Sequence, residues 1–139
     1  MIEKYPLAAK RLVAFEEERA RLKFERRRLK TALEKATKTT LRYGEKTSGG
    51  LPADRLNDVA QAREALEKAS EQFRSEERSL NTIIDLIPRP LDRLVLKLRY
   101  FSEMTPSQIS ESAEISLSCY YARLERAVKS LDGLLGGRE

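Results

Sequence analysis

The side chains able to do chemistry are hydroxyls, guanidinium and ammonium groups, and carboxylates. Hydroxyls gather at Thr105 and Ser107, beside Gln108, and again at Ser116, Ser118, Tyr120 and Tyr121, after which Arg123, Arg126 and Lys129 follow at intervals of three. Hydroxyls and cations in such a pattern bind anions and hydrogen-bonding edges; they do not break bonds unaided. The chain has no histidine, which removes imidazole bases, histidine triads and imidazole metal ligands. Cys119, the single cysteine, cannot form an internal disulfide and reads as a small spacer, not a ligand. The carboxylates form no isolated pair suited to acid–base work. The glycines at Gly44, Gly49 and Gly50 lack the Gly-Lys-Ser/Thr ending of a phosphate-cradling loop. The expectation is a non-enzyme with no metal, cofactor or small-molecule substrate.

The elements that must position these groups are helices. At 139 residues the chain holds one compact domain or two small ones. Charged residues make up 35%, aromatics 6%, and there are only six glycines and five prolines, a profile of long solvated helices rather than a sandwich or barrel. The opening MIEKYPLAAKRL has no apolar core of signal-peptide length, and no apolar run reaches the ~18 residues of a membrane span. A soluble, cytoplasmic, all-α protein without a membrane partner is expected. Charge divides the chain further: residues 1–50 carry +7, 51–87 carry −3 and 88–139 carry +1.

Residues 1–87 read as a long antiparallel, coiled-coil-like helical hairpin, with helices over about 6–36 and 55–87 and a loop over 37–54. Pro6 suits the first helical position. Ala8, Leu12, Phe15, Arg19, Leu22, Arg26, Leu29, Leu33 and Ala36 alternate steps of four and three, a heptad seam. The loop holds Gly44, Gly49, Gly50 and Pro52, and Asp54 is placed to cap the second helix. The second seam is Val59, Ala62, Leu66, Ala69, Phe73, Glu76, Leu80, Ile83 and Ile87. Run antiparallel, Leu12 faces Ile83, Phe15 faces Leu80, Leu22 faces Phe73, Leu29 faces Leu66 and Leu33 faces Ala62. This register sets Arg19 against Glu76, a pair that penalises slipped alignments because breaking it strands a charge. Arg26 falls opposite Ala69 and must find solvent or another chain. A hairpin this thin has one narrow apolar stripe, so a homodimer or higher oligomer is expected.

Residues 88–139 read as a separate helical domain. Pro88-Arg89-Pro90 ends the second helix. Leu91 to Phe101 is amphipathic, with Leu91, Leu94, Val95, Leu98 and Phe101 on one side. Thr105 caps a short helix from Pro106 to Ser112, Ala113-Glu114-Ile115 is a turn, and Ser116 caps a helix from Leu117 to about Leu135. Short helix, three-residue turn and longer helix make a helix-turn-helix pattern. Ile109 packs in the first helix, Ser110 sits where the helices approach, Ile115 plugs the turn, and Tyr120, Leu124, Ala127 and Leu131 form the inner face of the last helix.

The run LIPRPLDRLVLKLRYFSEMTPSQISESAEISLSCYYARLERAVKSL resembles region four of bacterial sigma factors over about 45 residues. The resemblance lies in the leading Ile-Pro, the LxLRYF segment, the Thr-x-x-x-Ile start of the first motif helix, and Ile-Ser-x-Ser followed by RLxRAxKxL. Glu114 stands where that family has its turn glycine, Ser110 where it has a small alanine, and Cys119-Tyr120-Tyr121 where it has a smaller trio. A non-glycine residue at positive φ is disfavoured. Nothing upstream resembles the sigma region that melts promoters. The whole chain resembles small phage and prophage regulators of Gram-positive bacteria, near the ArpU- and RinA-type late transcription regulators.

The resemblance implies that the last helix enters the major groove of double-stranded DNA, with Ser116, Leu117, Ser118, Tyr121, Ala122 and Glu125 outward. Serine and tyrosine hydroxyls can bond base edges or phosphates, and Leu117 or Ala122 can touch a thymine methyl. Arg123, Arg126 and Lys129 are phosphate candidates. Thr105, Ser107 and Gln108 are placed to donate to a phosphate beside the first motif helix. No Arg or Asn occupies the first turns of the reading helix, so bidentate base readout is absent and one copy is expected to bind weakly. The basic run from Arg19 to Lys30 reads first as a solvated coiled-coil face, with Glu16, Glu17, Glu18 and Glu25 close by; a second nucleic-acid surface is its alternative reading. The function expected is a DNA-binding transcriptional regulator of phage or prophage type. The competing expectations are a small terminase subunit for DNA packaging, and a protein that binds RNA polymerase or a sigma factor without touching DNA.

Overall fold

The computed structural model describes residues 2–43 and 53–137. Among them the chain is all-α: a 3₁₀ turn at Ile2–Lys4, then α1 (Pro6–Tyr43), α2 (Ala53–Ile84), α3 (Pro90–Tyr100), α4 (Pro106–Ala113) and α5 (Leu117–Leu135). Three ends of the first two helices differ from expectation. α1 continues past Ala36 to Tyr43; Thr37 stays helical by donating its hydroxyl to Leu33 O at 2.9 Å. The rest of the expected loop, from Gly44 to Pro52, lies outside the described residues. α2 opens at Ala53, so Asp54 falls in the first turn instead of capping it, where its charge complements the helix dipole. α2 also ends at Ile84, not Ile87.

The helices form two compact units, Met1–Glu16 with Ser75–Glu139, and Glu17–Arg74. The division does not follow residue 87: the base of the expected hairpin and the C-terminal helices make one body. Apolar burial explains this. Ala8, Leu12 and Phe15 of α1 are completely buried, as are Leu80, Ile84 and Ile87 from the α2 side. Phe15 meets Phe101 edge-to-face at 5.2 Å between centroids. Ile83, assigned to the seam, is half-buried, and Ile84 holds the fully buried place.

Polar contacts pin the same unit. Asp132 Oδ1 of α5 accepts from the N–H groups of Leu7 and Ala8 at 2.8 and 3.0 Å. These are orphan donors of the first α1 turn, so a carboxylate over a hundred residues away serves as the cap. Arg11 donates Nε to Glu76 Oε1 at 2.7 Å and Nη2 to Ser79 Oγ at 2.9 Å. The register expected Arg19 as the cation facing Glu76; Arg11 makes this bond. After α2, Leu86 N and Ile87 N donate to Ile83 O and Ile84 O, closing a tight turn. Arg93 donates to Ile87 O, and Lys97 bonds Asp85.

In the Glu17–Arg74 unit the two helical segments run antiparallel. Arg21 donates to Gln72, and the Arg19 guanidinium lies 5.5 Å from the Phe73 ring centroid. Leu29, Leu33 and Leu66 line one shared groove. Among the described residues of this unit the buried apolar ones are Leu22, Ala36, Ala62 and Ala69, while Leu33 is 39% exposed. Arg26 is exposed on the rim of that groove.

Candidate nucleic-acid interface

The α4–turn–α5 segment is built by local hydrogen bonds that the sequence specifies closely. Thr105 caps α4 reciprocally: its Oγ1 accepts from Gln108 N at 3.2 Å, and its N–H donates to Gln108 Oε1 at 2.9 Å. This capping box leaves the Thr105 hydroxyl proton and the Gln108 amide NH₂ as donors. Ser107 is exposed beside them. α4 ends at Glu114, which adopts φ 56° and ψ 45°, the left-handed conformation that favours glycine. The turn is held in spite of that. Ile115 N donates to Ser110 O at 3.0 Å, and Ser110 Oγ donates to Ile115 O. A serine at 110 therefore ties the turn that the missing glycine would have relaxed. Ser116 Oγ then accepts from Cys119 N at 3.1 Å and starts α5.

α5 is anchored by Tyr120, Leu124, Ala127, Val128 and Leu131, all buried, against Ile109 of α4 and Val95, Leu96 and Tyr100 of α3. Burial pushes the Tyr120 and Tyr100 phenols above their ordinary values, so both stay neutral in any physiological buffer. On the opposite side Ser116, Ser118 and Ala122 are exposed, with Leu117 45% and Tyr121 48% exposed. The Tyr121 ring packs edge-on against Tyr120 at 4.9 Å, which steadies it at the surface. These five residues form one outward patch over the first two turns. Glu125 continues it, half-buried, with Lys4 Nζ 3.8 Å from its carboxylate.

The arginines have a second employment that sequence reasoning missed. Asp92 of α3 is 1% exposed. It accepts Arg126 Nε at 2.8 Å and Nη2 at 3.2 Å, a side-on bidentate pair, and Arg123 Nη1 lies at 3.4 Å. The Arg126 side chain remains 40% exposed and Arg123 29%. Hydrogen bonding to the Cys119 side chain, then to Asp92, pushes the Arg123 guanidinium further above its ordinary value. Both phosphate candidates are thus oriented by a buried acid. Lys129, one turn from Glu125, is exposed. The signal for Asp92 was its spacing: Asp92, Val95, Leu96 and Tyr100 are the buried face of α3. Of the face expected for α3, Val95 is fully buried and Leu91, Leu98 and Phe101 are half-buried, while Leu94 is 43% exposed and Asp92 holds a buried place the apolar pattern did not include.

Residues 45–132 match a family described as a protein of unknown function, DUF1492, and the match covers well over half of the sequence. The chain belongs to the DUF1492 family. The DUF1492 segment takes in α2, α3, α4 and nearly all of α5, so the outward patch and the Asp92–Arg126 pair lie within it and α1 lies outside. No curated protein and no solved structure matches the chain. Among the described residues there is no group of three or more His, Cys, Asp or Glu placed to hold a metal ion, and no helix is long and apolar enough to cross a membrane.

Proposed function

We propose that this DUF1492 protein is a DNA-binding transcriptional regulator of phage or prophage type, with α5 seated in the major groove. The observation that carries the reading is the two-sidedness of α5. Its inner face is fully buried, while Ser116, Leu117, Ser118, Tyr121 and Ala122 stand outward together at its start. The capped turn before it and the resemblance to sigma region four support the same reading. In it, Ser118 and Tyr121 hydroxyls bond base edges, Leu117 and Ala122 meet thymine methyls, and Lys129 with the oriented Arg126 contacts phosphate. Thr105, Ser107 and Gln108 donate to a phosphate at the start of α4. The chain acts as a dimer or higher oligomer, since one such helix offers no bidentate base contact.

Selection of bound duplexes from a random pool by the full chain tests this. An enriched motif that flattens in the Ser118→Ala, Tyr121→Ala double variant supports it. A pool that stays random, with RNA polymerase subunits retained from the host, replaces it with a protein-binding module. A ring of eight or more subunits by native mass replaces it with a packaging role.

A further inference from the structure

The sequence leaves the basic run of α1 beside four glutamates, close enough to neutralise it. From residue 20 to 38 the structure leaves cations in the majority at the surface. Glu25 is turned inward and only 8% exposed, and its Oε2 makes no hydrogen bond, although Arg28 Nη1 lies 3.5 Å away. Glu18 likewise has a buried Oε2 without a hydrogen-bond partner. Between residues 20 and 38 the exposed charges are eight cations and one acid, Glu34. Of the four acids that the sequence offers as neighbours, Glu25 is buried and Glu18 half-buried, while Glu16 and Glu17 are exposed ahead of the cationic stretch.

The cations also surround an apolar group. Phe24 is 58% exposed, more than any other aromatic side chain among the described residues. It lies in a surface groove of about 600 Å³ with Arg27, Arg28, Thr31, Lys35 and a single acid, Asp58. From Lys23 to Lys38 the face extends about 22 Å, at about 1.5 Å per residue. That is roughly two-thirds of one duplex turn, for a turn of about 34 Å. A solvated face has no need of an exposed phenylalanine among its charges, and a surplus of exposed cations over exposed acids favours an anionic partner. A polyanion with apolar sugars between its charges matches both features.

We propose that the solvent face of α1 from Lys23 to Lys38 is a second nucleic-acid surface, one that grips the sugar–phosphate backbone of duplex DNA regardless of base sequence. Arg27, Lys30 and Lys38 contact phosphates, and Phe24 packs against a deoxyribose beside Arg27, with which it shares the groove. This surface is separate from the α5 patch and does not depend on it.

The test uses the full chain and a random-sequence duplex, with affinity measured from 50 to 300 mM salt. Replacing Arg27, Lys30 and Lys38 together by Gln removes three exposed cations without disturbing Arg28 beside Glu25. Each phosphate contact contributes about 0.9 to the logarithmic salt slope, so the slope should fall by roughly 2 to 3, and affinity at the upper salts should drop about tenfold. Arg27→Lys should leave the slope as it was, and Phe24→Ala should weaken binding with the slope kept. The Ser118→Ala, Tyr121→Ala variant should lose motif preference while keeping its slope on random duplex; failure of the α5 reading therefore leaves this inference standing. An unchanged slope in the triple-Gln variant overturns the proposal and leaves the face to an acidic protein surface. So does failure of the unaltered chain to bind random duplex at 50 mM salt.

Discussion

In the unit made of Met1–Glu16 and Ser75–Glu139, the fully buried side chains include Leu12, Phe15, Leu80, Ile84, Ile109 and Tyr120. Among the described residues of the Glu17–Arg74 unit the buried set is Leu22, three alanines and Glu25. The first unit surrounds its apolar residues with several helices; the second has two, and each apolar side chain there covers a neighbour on one side only. Hydrophobic stabilisation scales with area removed from water, so the two units should differ sharply in resistance to unfolding. The same contrast sorts function. Rigidity in the first unit holds the α5 patch in place, whereas the second unit has spent little of its surface on a core and keeps it for charge.

The largest expected effect breaks or sharpens that contrast directly. Ile109→Ala opens a cavity where α4 meets α5 and should cost about 3 kcal/mol, near the middle of the range for buried Ile→Ala changes. Leu29→Ala, at a half-buried seam position of the second unit, should cost about 1 kcal/mol. Urea unfolding followed by amide exchange measures both. Equal costs would mean that Glu17–Arg74 is packed far better than its burial indicates.

Next in size is Asp92→Asn. The carboxylate is buried and receives two Arg126 bonds, but the Arg126 side chain is 40% exposed and screened in part by water. A loss of about 2 kcal/mol is expected, in the range for hydrogen bonds to charged groups after that discount. In the DNA-binding reading the variant should also lose affinity more than stability requires, because Arg126 is no longer oriented. A fully folded variant with unaltered DNA affinity would separate Arg126 from the interface.

How far the sequence revealed this depended on whether a feature was local. Thr105 and Ser116 set helix starts through bonds to residues three positions on, Pro106 does so through its fixed φ, and each stands where its type required. The inner face of α5 followed from helical spacing alone. Asp132 capping α1 and Arg11 bonding Glu76 could not be read this way, since each joins residues far apart in the chain. On α3 the pattern found Val95 but missed Asp92 for another reason: Asp92 is charged, so a search for apolar periodicity skipped it and took in Leu94, which is exposed. The hairpin register was limited by chemistry too. Alternating Leu and Ala positions suit alignments one seam step apart almost equally well, and long arginines reach more than one acid.

Glu114→Gly should produce a smaller change of opposite sign. Glu114 holds φ 56°, a conformation costing a non-glycine residue about 1–2 kcal/mol, while glycine loses more entropy on folding. The net gain should be about 1 kcal/mol, seen as a higher thermal midpoint of the first unit. No gain would show that the Ser110 bond to Ile115 already offsets the strain, and Ser110→Ala in the Glu114→Gly background would then cost less than in the parent.

The smallest expected effect probes the second unit from inside. Glu25 is 8% exposed with one oxygen lacking a hydrogen bond, so Glu25→Leu replaces a poorly satisfied carboxylate with a side chain suited to the seam. Exchanging a buried ionic group for an apolar one is often stabilising, but here Arg28 loses its partner 3.5 Å away. The balance should be a gain of about 0.5 kcal/mol, read as roughly twofold slower amide exchange confined to Glu17–Arg74. Exchange in the first unit should not move, because its core shares none of these contacts. The variant also adds a charge step: with one acid fewer, affinity for random duplex should rise slightly if the α1 face holds DNA. Slower exchange with no change in duplex affinity would leave Glu25 a matter of packing alone, whereas faster exchange would mean that its carboxylate, and not the alanine seam, holds the two helices in register.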